Sequence, residues 1–208
     1  MNSRTKGKVG EREFAALLRK HGFDARRGQQ FSGSAESPDV VSAALDWLHI
    51  EVKRVQNLNL AAACAQAKRD QSKPGLNGRK KEAWIVAHRR NRQPWMVTLD
   101  AERFYRFLRR DLTGDWAMQM ASGSTPMAAC AEFSWLRCAE LPARTQIHDA
   151  MRLAQIGHLT QGPRVAVVAS KGRDGGWLVT VTAETLFNFL RGTLPLKDKP
   201  TEQTKQQK

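Results

Sequence analysis

Three charged residues lie close together in the stretch SPDVVSAALDWLHIEVKR, residues 37–54. Asp39 and Glu51 are twelve positions apart, and Lys53 follows Glu51 by two. Mg²⁺ prefers oxygen ligands and keeps several waters, so one or two carboxylates beside a substrate phosphate suffice to bind it. A bound ion lowers the pKa of a water, and a nearby lysine can orient that water or stabilise the charge that develops. The pattern therefore indicates metal-dependent hydrolysis of a phosphate ester.

A hairpin is predicted to bring these residues together. The turn SAALD separates a short extended run at 40–41 from the run WLHIEVK, in which apolar and polar residues alternate. Alternation places Glu51 and Lys53 on one face of the second strand. The alternative is that the two residues form an ordinary exposed pair, worth less than ~1 kcal/mol.

The flanking sequence predicts an α/β domain. Helical spacing runs over 8–21 and stops at Gly22, and RRGQQFSGSAESP is typical of a loop. A second helix is predicted at 58–71, followed by strands at 83–88 and 95–99 that the basic loop RRNRQP connects. Asp100 is a suitable N-cap for a third helix.

Charge favours a nucleic acid as partner. The net charge is +14, and residues 1–115 carry +10 of it; clustered Lys and Arg bind polyanions by releasing counterions. The alternative is a basic surface without a specific partner. The sequence has no apolar run of membrane-spanning length and no secretory signal at its start, so we expect a cytoplasmic protein. Three cysteines without CxxC spacing argue against a disulfide framework and a zinc site.

An internal repeat predicts two tandem similar domains. WMVTLDAERFYRFLR at 95–109 and WLVTVTAETLFNFLR at 177–191 share eight of fifteen residues at an offset of 82, and WLHIEVK has a counterpart in WLRCAEL. The predicted units are 1–100 and 101–193, with a disordered tail at 194–208; chance similarity of strand–helix pieces is the alternative. The second copy replaces the charged positions Glu11, Asp39, Glu51 and Lys53 by Ala101, Met127, Ala139 and Leu141. We therefore expect it to lack catalytic residues.

The charged positions resemble the PD-(D/E)XK nuclease superfamily, with Pro38 and Asp39 as the PD element and Glu51 to Lys53 as the EXK element. Further features look like its Holliday junction resolvase branch, of a phage or bacterial type. These are an acidic residue on the first helix, a serine in the loop before the Asp strand and a glutamine on the following helix: Glu11, Ser32 or Ser34, and Gln66.

The resemblance implies a mixed central sheet flanked by helices and a Mg²⁺- or Mn²⁺-dependent endodeoxyribonuclease that acts on branched or junction DNA. It implies Asp39, Glu51 and Glu11 as metal ligands, Lys53 as the catalytic cation and Gln66 as a supporting residue. Candidates for DNA contact are Ser32, Ser34, Arg89, Arg90 and Arg92. A homodimer or an internal pseudo-dimer is expected. The alternatives are a repair or restriction-type nuclease or nickase, and a non-catalytic basic DNA-binding protein.

Overall fold

The computed structural model describes residues 3–28, 38–72, 80–108, 136–142, 144–156 and 165–191. The five helices described there are α1 Ser3–Lys20, α2 Leu60–Gln71, α3 Ala101–Leu108, α4 Ile147–Ile156 and α5 Ala183–Leu190. The eight strands are β1 Ala25–Arg27, β2 Val40–Ser42, β3 Leu48–Arg54, β4 Ala83–Arg89, β5 Met96–Asp100, β6 Leu136–Glu140, β7 Val165–Lys171 and β8 Trp177–Thr182. A 3₁₀ turn, Ala43–Leu45, connects β2 to β3.

All eight strands form one mixed sheet in the order β1-β2-β3-β4-β5-β8-β7-β6. Two pairs are parallel, β3 with β4 and β6 with β7, and each is connected through a helix. The other neighbours pair antiparallel. The mixed sheet flanked by helices confirms the predicted fold class.

Helices cover both faces of the sheet. One face packs against α1, α3 and α5, where Phe14, Phe104 and Phe187 are completely or almost completely buried in one core with β5 and β8. The opposite face packs against α2 and α4 through two smaller apolar clusters. Phe187 contacts Phe14 with ring centroids 5.9 Å apart, so the main core includes residues from both ends of the chain.

The two halves of the sheet meet in a symmetric way at β5 and β8. Thr98 pairs with Thr180, its equivalent at the 82-residue offset of the sequence repeat, and the neighbouring pairs run outward symmetrically from this point. The hydroxyl oxygens of Thr98 and Thr180 are 2.7 Å apart, and His88 Nε2 lies 2.9 Å from that of Thr98. Pairing between equivalent residues is what a two-fold axis requires. The unit β3-α2-β4-β5-α3 is thus repeated as β6-α4-β7-β8-α5.

Several boundaries differ from the sequence-based prediction. Residues 25–27 form an edge strand in what the sequence suggested was the start of a loop, because their backbone pairs with β2. Helix α1 begins at Ser3 rather than near residue 8, and Gly22 ends it with φ 83°, as expected of a helix-terminating glycine. Asp100 Oδ1 accepts the N–H groups of Glu102 and Arg103, which confirms the predicted cap.

The predicted tail at 194–208 lies outside the described residues. The division at residue 100 into two domains stays a prediction. Cys64 and Cys138 are free thiols. Among the described helices, none has the length and apolar character that a membrane crossing requires.

Candidate active site

The Glu51 carboxylate is held on the α2 side of the sheet. Lys53 Nζ donates to Glu51 Oε1 at 2.5 Å, and Gln66 Nε2 from α2 donates to the same oxygen at 3.0 Å. Lys53 Nζ also lies 3.2 Å from Gln66 Oε1. Burial by itself would raise the pKa of Glu51, but interactions with His49 and Lys53 outweigh it and hold the pKa below its usual value. Glu51 is therefore a carboxylate at neutral pH, with Gln66 positioning both charged groups.

Asp39 lies beside Glu51 at the start of the hairpin. Its Oδ2 accepts the backbone N–H of Val52 at 2.8 Å. Burial raises the pKa of Asp39 to about 7, and the negative charges of Glu51 and Glu11 act in the same direction. Two carboxylates that disfavour each other's ionisation in a partly buried site are stabilised by a cation placed between them.

Backbone contacts on two sides hold Asp39 in place. Its N–H donates to the carbonyl of Ile50, and its own carbonyl accepts the N–H of Gly28 at 2.8 Å. A side chain at Gly28 would collide with the carbonyl oxygen of Pro38. A glycine is therefore needed where β1 approaches the PD turn.

Glu11 reaches the same region from α1. Its carboxylate forms an ion pair with Arg27 of β1, and its charge contributes to the raised pKa of Asp39. The structure thus brings Glu11, Asp39, Glu51, Lys53 and Gln66 together. Whether they act as metal ligands and catalytic groups stays a prediction.

Two further residues with metal-ligating atoms belong to this site and were not singled out from the sequence. His49, Glu51 and Asp70 each offer one ligand atom within 4.8 Å of the others. His49 is 2% exposed, and its Nε2 lies 3.8 Å from Glu51 Oε2, too far for a hydrogen bond, with no hydrogen-bond partner among the described residues. Alternation along β3 places His49 on the Glu51 face, but only the packing of α2 brings Asp70 there.

The site offers two overlapping sets of donor groups for a divalent cation, and in the set of His49, Glu51 and Asp70 the ligand atoms lie within 4.8 Å of one another. Asp39, Glu51 and Glu11 supply only oxygens, the ligands that Mg²⁺ prefers. The second set adds an imidazole nitrogen, a donor that favours transition metals such as Fe²⁺, Ni²⁺ or Zn²⁺ over Mg²⁺. Glu51 is common to both sets. An unpartnered buried His49 nitrogen is consistent with a ligand that completes the site.

The arginines predicted to contact DNA lie at the end of β4 and in the following loop. Arg89 Nη2 is 3.2 Å from Glu13 Oε2 and its guanidinium stacks over Trp95, so Glu13 partly neutralises it. Arg90 Nη1 is 3.7 Å from Asp149, and Arg92 is exposed with φ 61°. Ser32 and Ser34 lie outside the described residues.

The corresponding strand of the second half carries no matching groups. Ala139 pairs with Val168 of β7 as Glu51 pairs with Val86 of β4, so Ala139 occupies the Glu51 position. The next residue, Glu140, is exposed and takes the position of Val52, one residue out of phase.

A sheet with helices on both faces and a cluster of Asp39, Glu51 and Lys53 are features of the PD-(D/E)XK type of nuclease domain. Residues 2–97 match the family model described as archaeal Holliday junction resolvase (hjc). This confirms the resemblance inferred from the sequence: residues 2–97 are similar to the Holliday junction resolvase-like nucleases, a superfamily of DNA endonucleases. The match spans slightly less than half of the chain, and the phage or bacterial type stays a prediction.

One similar solved structure is Hjc, a Holliday junction resolvase of the archaeal hyperthermophile Archaeoglobus fulgidus. Its sequence identity is 24%, and the alignment covers 43% of this chain and 73% of Hjc with a TM-score of 0.29. No curated protein gives a significant match to the chain.

Proposed function

We propose that this protein is a Mg²⁺-dependent endonuclease that cleaves branched DNA of the Holliday junction kind. The observation that carries the proposal is the pair of neighbouring carboxylates, Asp39 with a raised pKa and Glu51 with a lowered one, beside Lys53. The family match over residues 2–97 and the net charge of +14 support it.

Each residue has a distinct role in the proposed reaction. Asp39 and Glu51 hold the metal, and Glu11 adds a third carboxylate at its edge. The metal, when bound, supplies charge stabilisation at the phosphate and a water of lowered pKa. Lys53 is placed to orient the attacking water or to stabilise the negative charge that develops on the phosphate. Gln66 hydrogen-bonds both Lys53 and Glu51 and so fixes their relative positions.

The second half is proposed to support the nuclease domain without chemistry of its own. Ala139 takes the Glu51 position and Leu141 the Lys53 position, so the described residues of this strand and its end lack both charged groups. The symmetric β5–β8 pairing supports the proposal that the second half takes the place of a partner subunit. One active site per chain favours nicking of one strand per encounter, whereas symmetric cutting needs two copies of the chain.

A cleavage assay tests this function. Four-way junction, flap and linear duplex DNA are incubated with and without Mg²⁺, and strand-specific labels report which strands are cut. We expect Mg²⁺-dependent cutting of the junction in preference to the linear duplex. Cutting that is equal on all three substrates would refute the preference for branched DNA.

Variants identify the site in the same assay. Glu51→Gln and Lys53→Ala should abolish cutting while DNA binding largely persists. Glu140→Gln is the matched control, since it removes the same charge from the equivalent strand one residue out of phase, and it should cut at the wild-type rate. DNA binding without any cutting by the wild-type protein would instead favour a non-catalytic binding protein.

A further inference from the structure

A cavity of about 230 Å³ adjoins the proposed active site and is lined by residues from both halves of the chain. Lys53, His88 and Arg90 line it at the ends of β3 and β4. Arg144 and Gln146, just before α4, and His148 in its first turn line the other side. A water in the liquid occupies about 30 Å³, so the cavity has room for a much larger group. Lys53 is common to the cavity and to the Glu51 cluster.

The lining of this cavity is cationic. Its charged lining residues are Lys53, Arg89, Arg90 and Arg144, and no carboxylate belongs to the described lining. Asp149 lies at its margin, 3.7 Å from Arg90. The first turn of α4 adds the partial positive charge of a helix N-terminus. Such a surface suits an anion.

One nitrogen of a buried imidazole in the lining lacks a hydrogen-bond partner among the described residues. His148 is 6% exposed, and its Nε2 has no hydrogen-bond partner among the described residues. The ring hydrogen-bonds the backbone of Pro94 and packs edge-on against His88, with ring centroids 5.7 Å apart. A buried polar atom without a partner is costly, and this observation is independent of the helix terminus.

We propose that this cavity binds a backbone phosphate of the DNA substrate, close to the scissile phosphate held at Glu51 and Lys53. Arg90 and Arg144 balance its charge, and His148 Nε2 bonds one of its oxygens when the ring carries both protons. The second half thus contributes to substrate binding although its strand β6 carries Ala139 at the Glu51 position. This inference rests on the proposed DNA-cleaving function.

The first test uses inorganic phosphate and the full-length protein. Imidazole ¹⁵N spectra, assigned with His148→Gln, follow Nε2 of His148 during a phosphate titration. We expect this signal to change from the unprotonated to the protonated type, and to respond much more weakly in Arg144→Ala. Arg144 is exposed, so its removal should leave the fold intact. A titration that leaves the His148 signal unchanged would overturn the proposal.

The second test distinguishes DNA from a free anion. In a Glu51→Gln background that prevents cutting, the Kd for a four-way junction is measured for intact DNA and for DNA with a single neutral methylphosphonate near the cleavage point. Losing one arginine–phosphate contact should weaken binding roughly 10-fold. Arg144→Ala should bind intact DNA roughly 10-fold more weakly than the protein with Arg144 does. Where the methylphosphonate replaces the contacted phosphate, Arg144→Ala should not weaken binding further.

Arg152→Ala is the matched control, since Arg152 is an exposed arginine of α4 that is not among the residues lining the cavity. Equal losses for Arg144→Ala and Arg152→Ala would mean a general charge effect and would overturn the site. A phosphate response without sensitivity to any methylphosphonate would mean a free-anion site and would overturn the DNA assignment. Failure of cleavage alone would refute the proposed function, while both binding tests would still report on the cavity.

Discussion

Replacing Asp39 with Asn should make the metal-free protein more stable at pH 8. The pKa of Asp39 is about 7 in the folded protein against 3.8 for an ordinary aspartate. A difference of about three units corresponds to about 4 kcal/mol, since one unit is 1.36 kcal/mol. Asn has the same shape, can still accept the Val52 N–H and carries no charge. The gain in free energy of unfolding should therefore approach about 4 kcal/mol as an upper value.

The dependence on pH follows from the sign of the shift. Below pH 3.8 the Asp39 carboxyl is protonated in both the folded and the unfolded protein, so wild type and Asp39→Asn should be equally stable. As the pH rises from 4 to 7, only the unfolded state ionises freely, and the wild type loses stability relative to the variant. Above pH 7 the difference should be constant.

Urea unfolding in EDTA at several pH values measures this difference. Asp174→Asn is the control: Asp174 is exposed and paired with Lys68, which holds its pKa below normal, so this variant should gain nothing at pH 8. Added Mg²⁺ should narrow the gap for Asp39→Asn, because a ligand at 100 times its Kd stabilises the wild type by about 2.7 kcal/mol. If Asp39→Asn is no more stable than wild type in EDTA at pH 8, the inference that burial and neighbouring carboxylates raise the pKa of Asp39 is wrong.

Three further substitutions test how the fold supports the site. Thr98→Val should destabilise the protein by about 1–3 kcal/mol in urea unfolding, because it leaves His88 Nε2 and the Thr180 hydroxyl without their buried partner; stability equal to wild type would contradict this. Phe187→Ala should lower the free energy of unfolding by about 3–5 kcal/mol, because Phe187 is 1% exposed and packs against the first helix. A loss below about 0.5 kcal/mol, as is usual for a surface residue, would show that the two halves are not packed as described. Gly28→Ala should reduce cutting more than junction binding by displacing the PD turn, whereas unchanged cutting would show that the turn tolerates the side chain.

The sequence by itself determined the local elements and the side of the strand on which the charges lie. Alternation along β3 places Glu51 and Lys53 on one face, and helical spacing places Glu11 on the first helix. The repeat at an offset of 82 residues was readable because buried strands and helices keep a regular hydrophobic pattern. The alignment of the two strands that begin with WL also predicted that Ala139 is equivalent to Glu51, and the strand pairing in the structure agrees.

Only the tertiary structure decided which residues of different elements contact each other. Asp70 reaches the Glu51 cluster because α2 packs over β3, and no local pattern encodes that distance. Residues 25–27 form a strand because their backbone pairs with the edge of β2, and their own residue types do not indicate this pairing. The cavity that joins Lys53 to His148 depends on β5 pairing with β8, residues 82 apart in sequence. Such long-range contacts arise from burial and backbone hydrogen bonding across the whole sheet, which a local sequence pattern does not specify.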